Sequence, residues 1–336
     1  HDKVEFDVAI TAFTFGTEKR LNEYKDFLSQ EELEEYKSAV FNHTNQLIRK
    51  YDQNLIDYKK KLENLEIKRK KVNSFDHHDL NVIKSLLNSC RNNGTKTFSC
   101  MARYGFIAES FLRSITEENI WSKDRVEEFR SSIETVLTSF LKELNSTSKD
   151  ITLKENFMEK YGHLRPGTYD ILAPRYDNQL DKISLMESKQ LNYNAKRIDF
   201  IPTDNEVEEL NKKLKILGFS FDTQKLLSFI KSSIAYREFG KLEFTRTVSD
   251  IIEFIAQWGE DIGLSRDELS FIPIEKILEI IKHPPSIENE FYFRNISKVC
   301  QEQYKLTQAI KTPFLISKVS DIYVIPSLKS KPNFIT

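Results

Sequence analysis

The apolar side chains of most of this chain repeat with the spacing of an α-helix. Between about 30 and 72 they recur at intervals of three, four and seven residues, which is typical of a long amphipathic stripe and predicts a long helical hairpin. The same spacing predicts further helices at about 78–92, 97–117, 121–144, 151–161, 204–217, 222–260, 265–282 and 287–311. The expected fold class is therefore mainly α, a multi-helix domain.

The two ends of the chain have a different pattern. Near the start, residues 4–10 alternate between apolar and polar side chains, a period of two that indicates a half-buried strand. Near the end, the apolar residues of 314–325 stand among three prolines, which indicates short strands and a linker. We therefore expect short β segments at both termini.

Composition argues against some classes of function. The chain of 336 residues has 50 Lys and Arg against 51 Asp and Glu, a formal net charge of −1, which argues against a nucleic-acid binder. No apolar run approaches the roughly 18 residues that a membrane span requires, so neither nucleic acid nor a membrane is an expected partner. The three cysteines form no paired motif, which favours a reducing cytoplasm as the compartment and predicts no metal site.

Glycine and proline are scarce, with nine of each, and their scarcity agrees with long helices. The exception is the segment 161–176, which holds four of them. Gly162 is expected to end the preceding helix in the left-handed conformation, and Pro166 with Gly167 fits a type II turn in which glycine supplies the positive φ. The two glycines have the offset of a phosphate-binding P-loop, but its Lys and Ser/Thr are absent. We expect an irregular region over 162–203.

This irregular region carries the best candidates for a binding site. Guanidinium and imidazole groups bind carboxylate or phosphoryl oxygens, and arginine does so with two parallel hydrogen bonds. A carboxylate such as Asp170 can hold an arginine in position or accept from an ammonium. The candidate residues of the loop are His163, Arg165, Tyr169, Asp170 and Arg175. The alternative is a buried cluster of polar side chains that only connects helices and binds nothing.

A second group of charges lies on the helix predicted at 222–260. Arg237 and Lys241 are four residues apart on one face, where they repel each other unless an anion or a carboxylate of another helix lies between them. Arg246 and Asp250 are predicted to pair within the same helix, and the alternative for the whole group is an ordinary solvated face. A further candidate, Arg103, lies near the start of the helix predicted at 97–117, where it would point toward the loop or form a buried brace with a carboxylate. The candidate supports of the loop are therefore Arg103, Arg237, Glu238, Lys241 and Arg246.

Several segments resemble one family of enzymes. The stretch YGHLRPGTYDILAPRY at 161–176 resembles the central-domain signature of phosphoenolpyruvate-synthase-like (PEP-utilising) phosphotransferases. The opening HDKVEFDVAITAFTF, MARYGFIAESFLRSI at 101–115, YREFGKLEFTRTVSDIIE at 236–253 and the closing KPNFIT resemble the L-glutamine kinase branch of that family. This branch is associated with the phosphoramidate of bacterial capsular polysaccharide, and the resemblance spans essentially the whole chain.

The resemblance implies a central helical domain that binds the phosphoryl acceptor. Enzymes of this family combine an ATP-grasp domain, a helical domain and a phosphohistidine domain, and they convert ATP to AMP and phosphate while phosphorylating an acceptor, here the side-chain amide of L-glutamine. Residues 1–16 would be the terminal strand of the ATP-grasp domain, 17–312 the acceptor-binding domain and 313–336 the linker to the phosphohistidine domain. ATP and Mg would be cofactors of the parent enzyme, none would bind this chain, and the fragment alone is expected to be inactive.

The same resemblance implies roles for the candidate residues. The loop residues would face the substrate, with His163 acting on the acceptor amide rather than carrying the phosphoryl group. Arg165 or Arg175 would bind the α-carboxylate of glutamine, and Asp170 or Glu238 its α-ammonium. Two alternatives stay open: the same scaffold serving another acceptor, such as pyruvate or a drug, or a purely structural helical spacer or dimerisation domain that forms a homodimer.

Overall fold

The computed structural model describes residues 6, 9–72, 79–147, 151–178, 199–309, 316 and 318–323. Within these residues the regular structure is helical and contains no strand, which confirms the mainly α prediction. The α-helices in chain order are α1 Thr17–Leu21, α2 Gln30–Arg49, α3 Tyr51–Val72, α4 Leu80–Ser89, α5 Lys96–Glu117, α6 Lys123–Ser131, α7 Val136–Thr147, α8 Ile151–Tyr161, α9 Asp204–Ile216, α10 Thr223–Asp261, α11 Arg266–Ser270, α12 Ile274–Glu279 and α13 Asn289–Ala309.

The described parts of the two terminal segments contain no β structure. Near the start, side chains of α2 satisfy the backbone, because Phe13 N–H donates to Thr44 Oγ1 at 2.9 Å and the Tyr36 hydroxyl donates to the Ile10 carbonyl at 2.7 Å. Near the end, Val319–Ile322 forms a 3₁₀ turn in place of the predicted strand. The other residues of both predicted segments lie outside the described residues.

Helices α2 and α3 form one bent helix, so the predicted hairpin is wrong. Lys50 alone joins them, with right-handed helical backbone angles of φ −86° and ψ 0°. Its N–H donates to the Gln46 carbonyl, and its carbonyl accepts from Asn54 N–H. The helical hydrogen bonds therefore continue on both sides of Lys50, and the chain bends there without reversing.

Some helices that were predicted as separate are joined in the structure, and some that were predicted as continuous are divided. The helices predicted at 78–92 and 97–117 are joined by a π-helical segment, Cys90–Thr95, which connects α4 to α5 without a gap. The helix predicted at 265–282 is divided into α11 and α12 at Pro273, which has no N–H to donate to a preceding turn. Likewise, the helix predicted at 121–144 is divided into α6 and α7.

The described residues separate into two compact units, and the first comprises His1–Asp76, Ser85–Tyr169 and Ala173–Ile251. Its centre is a close antiparallel pair formed by α10 and the helix that contains Gly94 and Gly105. A Cβ atom at Gly94 would lie 2.8 Å from Cβ of Phe244, and one at Gly105 would lie 2.7 Å from Cδ of Arg237. Glycine permits this approach, because a Cβ atom at either position would force the facing side chain to shift.

The second unit comprises His77–Lys84, Asp170–Leu172 and Ile252–Thr336. Its core includes an edge-to-face contact between Trp258 and Phe293, with ring centroids 5.3 Å apart. Ser265 caps α11 in a capping box with Glu268. Among the described residues, no helix combines the length and the apolar character that crossing a lipid bilayer requires.

Candidate functional site

The loop that follows α8 is closed on itself by backbone hydrogen bonds. Tyr176 N–H donates to the Leu164 carbonyl at 2.8 Å, and Asp177 N–H donates to the Gly162 carbonyl at 3.1 Å. The predicted positive φ at Gly162 and Gly167 is wrong, because neither is among the glycines with positive φ in the described residues. Gly162 instead continues the helical hydrogen bonding, and a side chain there would collide with the carbonyl oxygen of Met158.

A partly buried network of ion pairs holds the far end of this loop. Arg175 donates to Asp177 through Nε at 3.0 Å and Nη2 at 2.7 Å, and its Nη1 donates to Asp250 Oδ1 at 2.7 Å. The other oxygen of Asp250 accepts from Arg69 Nη1 at 3.0 Å. Arg175 therefore anchors the loop to α10, and Asp250 connects it in turn to Arg69 of α3.

The predicted pair of Arg246 and Asp250 is not formed, and Arg246 has other partners. Its guanidinium lies 3.6 Å from the Glu243 carboxylate and donates to the Lys160 carbonyl at 2.9 Å. Asp250 is occupied by two arginines from other segments, and this arrangement cannot be read from the spacing of residues in one helix.

Arg165 is buried and braces the loop against α10. It donates to the Ala173 carbonyl at 3.1 Å and to Ser249 Oγ at 2.9 Å. The Ser249 hydroxyl in turn donates to the His163 carbonyl at 2.7 Å. Arg165 therefore satisfies backbone groups that an irregular segment would otherwise leave buried without a partner.

A cavity of about 360 Å³ lies within the first unit, beside the loop and between α7 and α10. Its apolar wall comes mainly from α7 and the loop. Its polar lining includes His163, Arg165, Thr168, Glu238 and Lys241. This volume and this mixture of an apolar wall with a few polar groups are typical of small-molecule sites.

Two opposite charges of α10 line this cavity without pairing. Glu238 and Lys241 are three residues apart, and neither forms an ion pair with the other or with any other described residue. One carboxylate oxygen of Glu238 accepts from Leu137 N–H at 3.2 Å, in the first turn of α7, where the helix dipole favours a negative charge. The cavity therefore offers one carboxylate and one ammonium to a ligand.

His163 lies at the same cavity and is buried, with only 4 % of its surface exposed. Burial is the largest cause that lowers its pKa to about 3, followed by the positive charges of Arg246, Arg175 and Arg69. The backbone of Leu242 acts in the opposite direction, but neither ring nitrogen has a well-formed hydrogen bond to a described residue. A neutral imidazole with this pKa suits hydrogen bonding better than proton removal near pH 7.

The other predicted site residues lie elsewhere. Tyr169 is 64 % exposed, and Arg103 is also exposed. Asp170 is exposed and belongs to the second unit, where its carboxylate accepts from Leu172 N–H at 2.8 Å. Of the ten predicted residues, the cavity brings together His163, Arg165, Glu238 and Lys241.

A second cavity of about 430 Å³ lies in the same unit and includes the predicted Arg237. Glu238 borders both cavities. Three further charged residues of this second cavity, Glu109, Arg113 and Arg130, were missed from the sequence. The available signal was the i, i+4 pair of Glu109 and Arg113 within an otherwise apolar stretch of α5.

No group of three or more His, Cys, Asp or Glu side chains that could hold a metal ion occurs in the part of the chain that is described. Comparison with protein-family models, curated proteins and solved structures found no match to this chain. The resemblance to L-glutamine kinases therefore stays a prediction. The structure itself shows a helical protein with a cavity that is lined by charged and apolar side chains.

Proposed function

We propose that the cavity beside the loop binds a small zwitterionic amino acid, L-glutamine, within the acceptor-binding domain of an ATP-dependent phosphotransferase. The observation that supports this best is the unpaired couple of Glu238 and Lys241 at one cavity. A zwitterion that leaves water needs a counter-charge for each of its ends, and this couple supplies both.

The assignment of charges follows from which groups are already engaged. Arg165 and Arg175 donate to protein acceptors, so Lys241 is the cation for the α-carboxylate. Asp170 does not line the cavity, so Glu238 is the anion for the α-ammonium. These assignments replace the roles that the family resemblance implied for the loop residues.

The side chain of the ligand would lie along the apolar wall toward His163. A neutral imidazole has one donor and one acceptor, which complement the oxygen and the nitrogen of a carboxamide. The choice of glutamine over other amino acids comes from the family resemblance, and the geometry supports the zwitterion.

Calorimetric titration with three related ligands tests the binding proposal. L-glutamine carries both charges, 4-carbamoylbutanoate lacks the α-ammonium, and L-glutaminamide lacks the α-carboxylate. We expect each analogue to bind at least about tenfold more weakly than L-glutamine, because it lacks the group that pairs with one of the two charged side chains of the cavity. Equal binding of all three, or no binding of L-glutamine, would contradict the proposal. Binding of pyruvate in its place would favour the other acceptor.

The catalytic part of the proposal needs a separate assay. In the complete gene product, L-glutamine should stimulate the formation of AMP from ATP, and Lys241→Gln should raise the KM for L-glutamine. If L-glutamine binds the cavity but leaves AMP formation unchanged, the binding site stands and the kinase assignment is wrong.

A further inference from the structure

The second cavity of the first unit is richer in charge than the first. The described lining residues include three guanidiniums, those of Arg113, Arg130 and Arg237, and two carboxylates, those of Glu109 and Glu238, which leave a formal charge of +1. Glu109 is engaged by two of the arginines. Arg130 holds both of its oxygens at 2.7 Å, and Arg113 Nε lies 3.4 Å from one of them.

Arg237 differs from the other two arginines, because it has no carboxylate partner among the described residues. Arg237 is exposed, but its side chain contacts α5. Its aliphatic stem lies against Gly105, where a Cβ atom would come within 2.7 Å of Arg237 Cδ. Its guanidinium carbon lies 5.5 Å from the centre of the Phe106 ring. These two contacts favour one orientation of the side chain, and its N–H groups stay available for a ligand.

We infer that this second cavity binds a phosphate oxyanion, with Arg237 as its principal donor. The planar guanidinium donates two parallel hydrogen bonds to phosphate oxygens, and the excess positive charge of the lining favours an anion. Glu238 borders both cavities, so the phosphate would lie next to the amino acid. A role of this site in phosphoryl transfer rests on the proposed function, whereas phosphate binding itself does not.

Titration of the chain with inorganic phosphate tests the inference. It is done at low, constant ionic strength, because salt screens exposed charges, and in the absence of L-glutamine. We expect saturable binding by the wild-type chain and a loss of at least about tenfold in affinity for Arg237→Gln. Arg103→Gln is the matched control, since it removes an exposed arginine of α5 that does not line the cavity, and it should bind phosphate like the wild type.

Gly105→Ala separates geometry from charge. It keeps every charged group, but its Cβ atom displaces the stem of Arg237, so phosphate binding should weaken. Alanine is also the better helix former, by about 1 kcal/mol, which favours a folded variant, and circular dichroism checks this.

Three results would overturn the inference: no saturable phosphate binding by the wild type, an equal loss in Arg103→Gln and Arg237→Gln, or unchanged affinity in folded Gly105→Ala. A parallel titration with L-glutamine keeps the two proposals apart. If phosphate binds and L-glutamine does not, the proposed function fails and this site remains. If L-glutamine binds and phosphate does not, only this site is removed.

Discussion

The loop 162–178 and the helical turn 237–241 are both rich in charge, but they use their charges differently. In the loop, Arg165 and Arg175 donate to the protein itself. In the helical turn, Glu238 and Lys241 have no ionic partner among the described residues and line a cavity. The segment that stands out in the sequence is therefore a scaffold, and the plain helix beside it presents the groups that are free to bind.

The difference has a simple physical cause. A regular helix satisfies its own backbone groups, so its polar side chains are free to face a cavity. An irregular loop lacks these regular backbone hydrogen bonds, so its buried carbonyl groups must accept from other donors. Arg165 supplies one of these donors to Ala173, and the ion pairs of Arg175 hold the end of the loop.

Breaking the scaffold should have the largest effect. Asp250→Asn keeps the shape of the side chain but leaves Arg69 and Arg175 without their shared counter-charge. We expect the free energy of unfolding, measured by urea denaturation, to fall by about 3–5 kcal/mol. Glu238→Gln removes an unpaired carboxylate from the same helix and should cost less than about 0.5 kcal/mol. If the two variants were equally stable, Asp250 would contribute no more to the stability of the fold than Glu238 does, and the distinction between the loop and the helical turn would be wrong.

A smaller effect is expected from the pH dependence of stability. Folding lowers the pKa of His163 from its ordinary 6.5 to about 3, so between these values the unfolded chain binds a proton that the folded chain does not. Stability therefore falls as the pH drops below about 6.5, with a slope of up to about 1.4 kcal/mol per pH unit.

The variant His163→Asn removes this contribution. Between pH 7 and pH 5, the wild-type chain should lose about 2 kcal/mol more of its free energy of unfolding than His163→Asn does. His43→Asn changes an exposed histidine and should behave like the wild type. The same loss in all three proteins would mean that His163 is not held neutral by its surroundings.

The smallest effect is expected at the exposed tip of the loop. Tyr169→Ala should change the free energy of unfolding by less than about 0.5 kcal/mol and leave the Kd for L-glutamine nearly unchanged, because this ring lies largely in solvent. If the Kd for L-glutamine were ten times higher in Tyr169→Ala, the loop tip would contribute to binding, contrary to this expectation.

Much of the fold could be predicted from the sequence, because amphipathic periodicity reports which face of a helix is buried. It located α9, α10 and α13 within a few residues. It did not predict the bend at Lys50 or the π-helical segment Cys90–Thr95. The spacing of apolar residues shows which face of a helix is buried, but not where its axis bends or its hydrogen-bond pattern changes.

Less of the site could be predicted. Glycine and proline located the loop, but Arg175 is paired with Asp250, 75 residues away, and no local pattern reports such a contact. Lys241 was a candidate because of its spacing from Arg237, and Glu238 because it belongs to the same group of charges. Their lack of partners depends on which side chains other helices bring nearby, and only the packed structure gives this information.

The central claim is that Lys241 binds the carboxylate of a zwitterion whose ammonium is bound by Glu238. Calorimetric titration of the wild type and Lys241→Gln with L-glutamine and L-glutaminamide tests it most directly. The account predicts that the substitution weakens L-glutamine binding by about tenfold or more but hardly changes binding of L-glutaminamide, which has no carboxylate to lose. An equal loss for both ligands, or no loss for either, would contradict it.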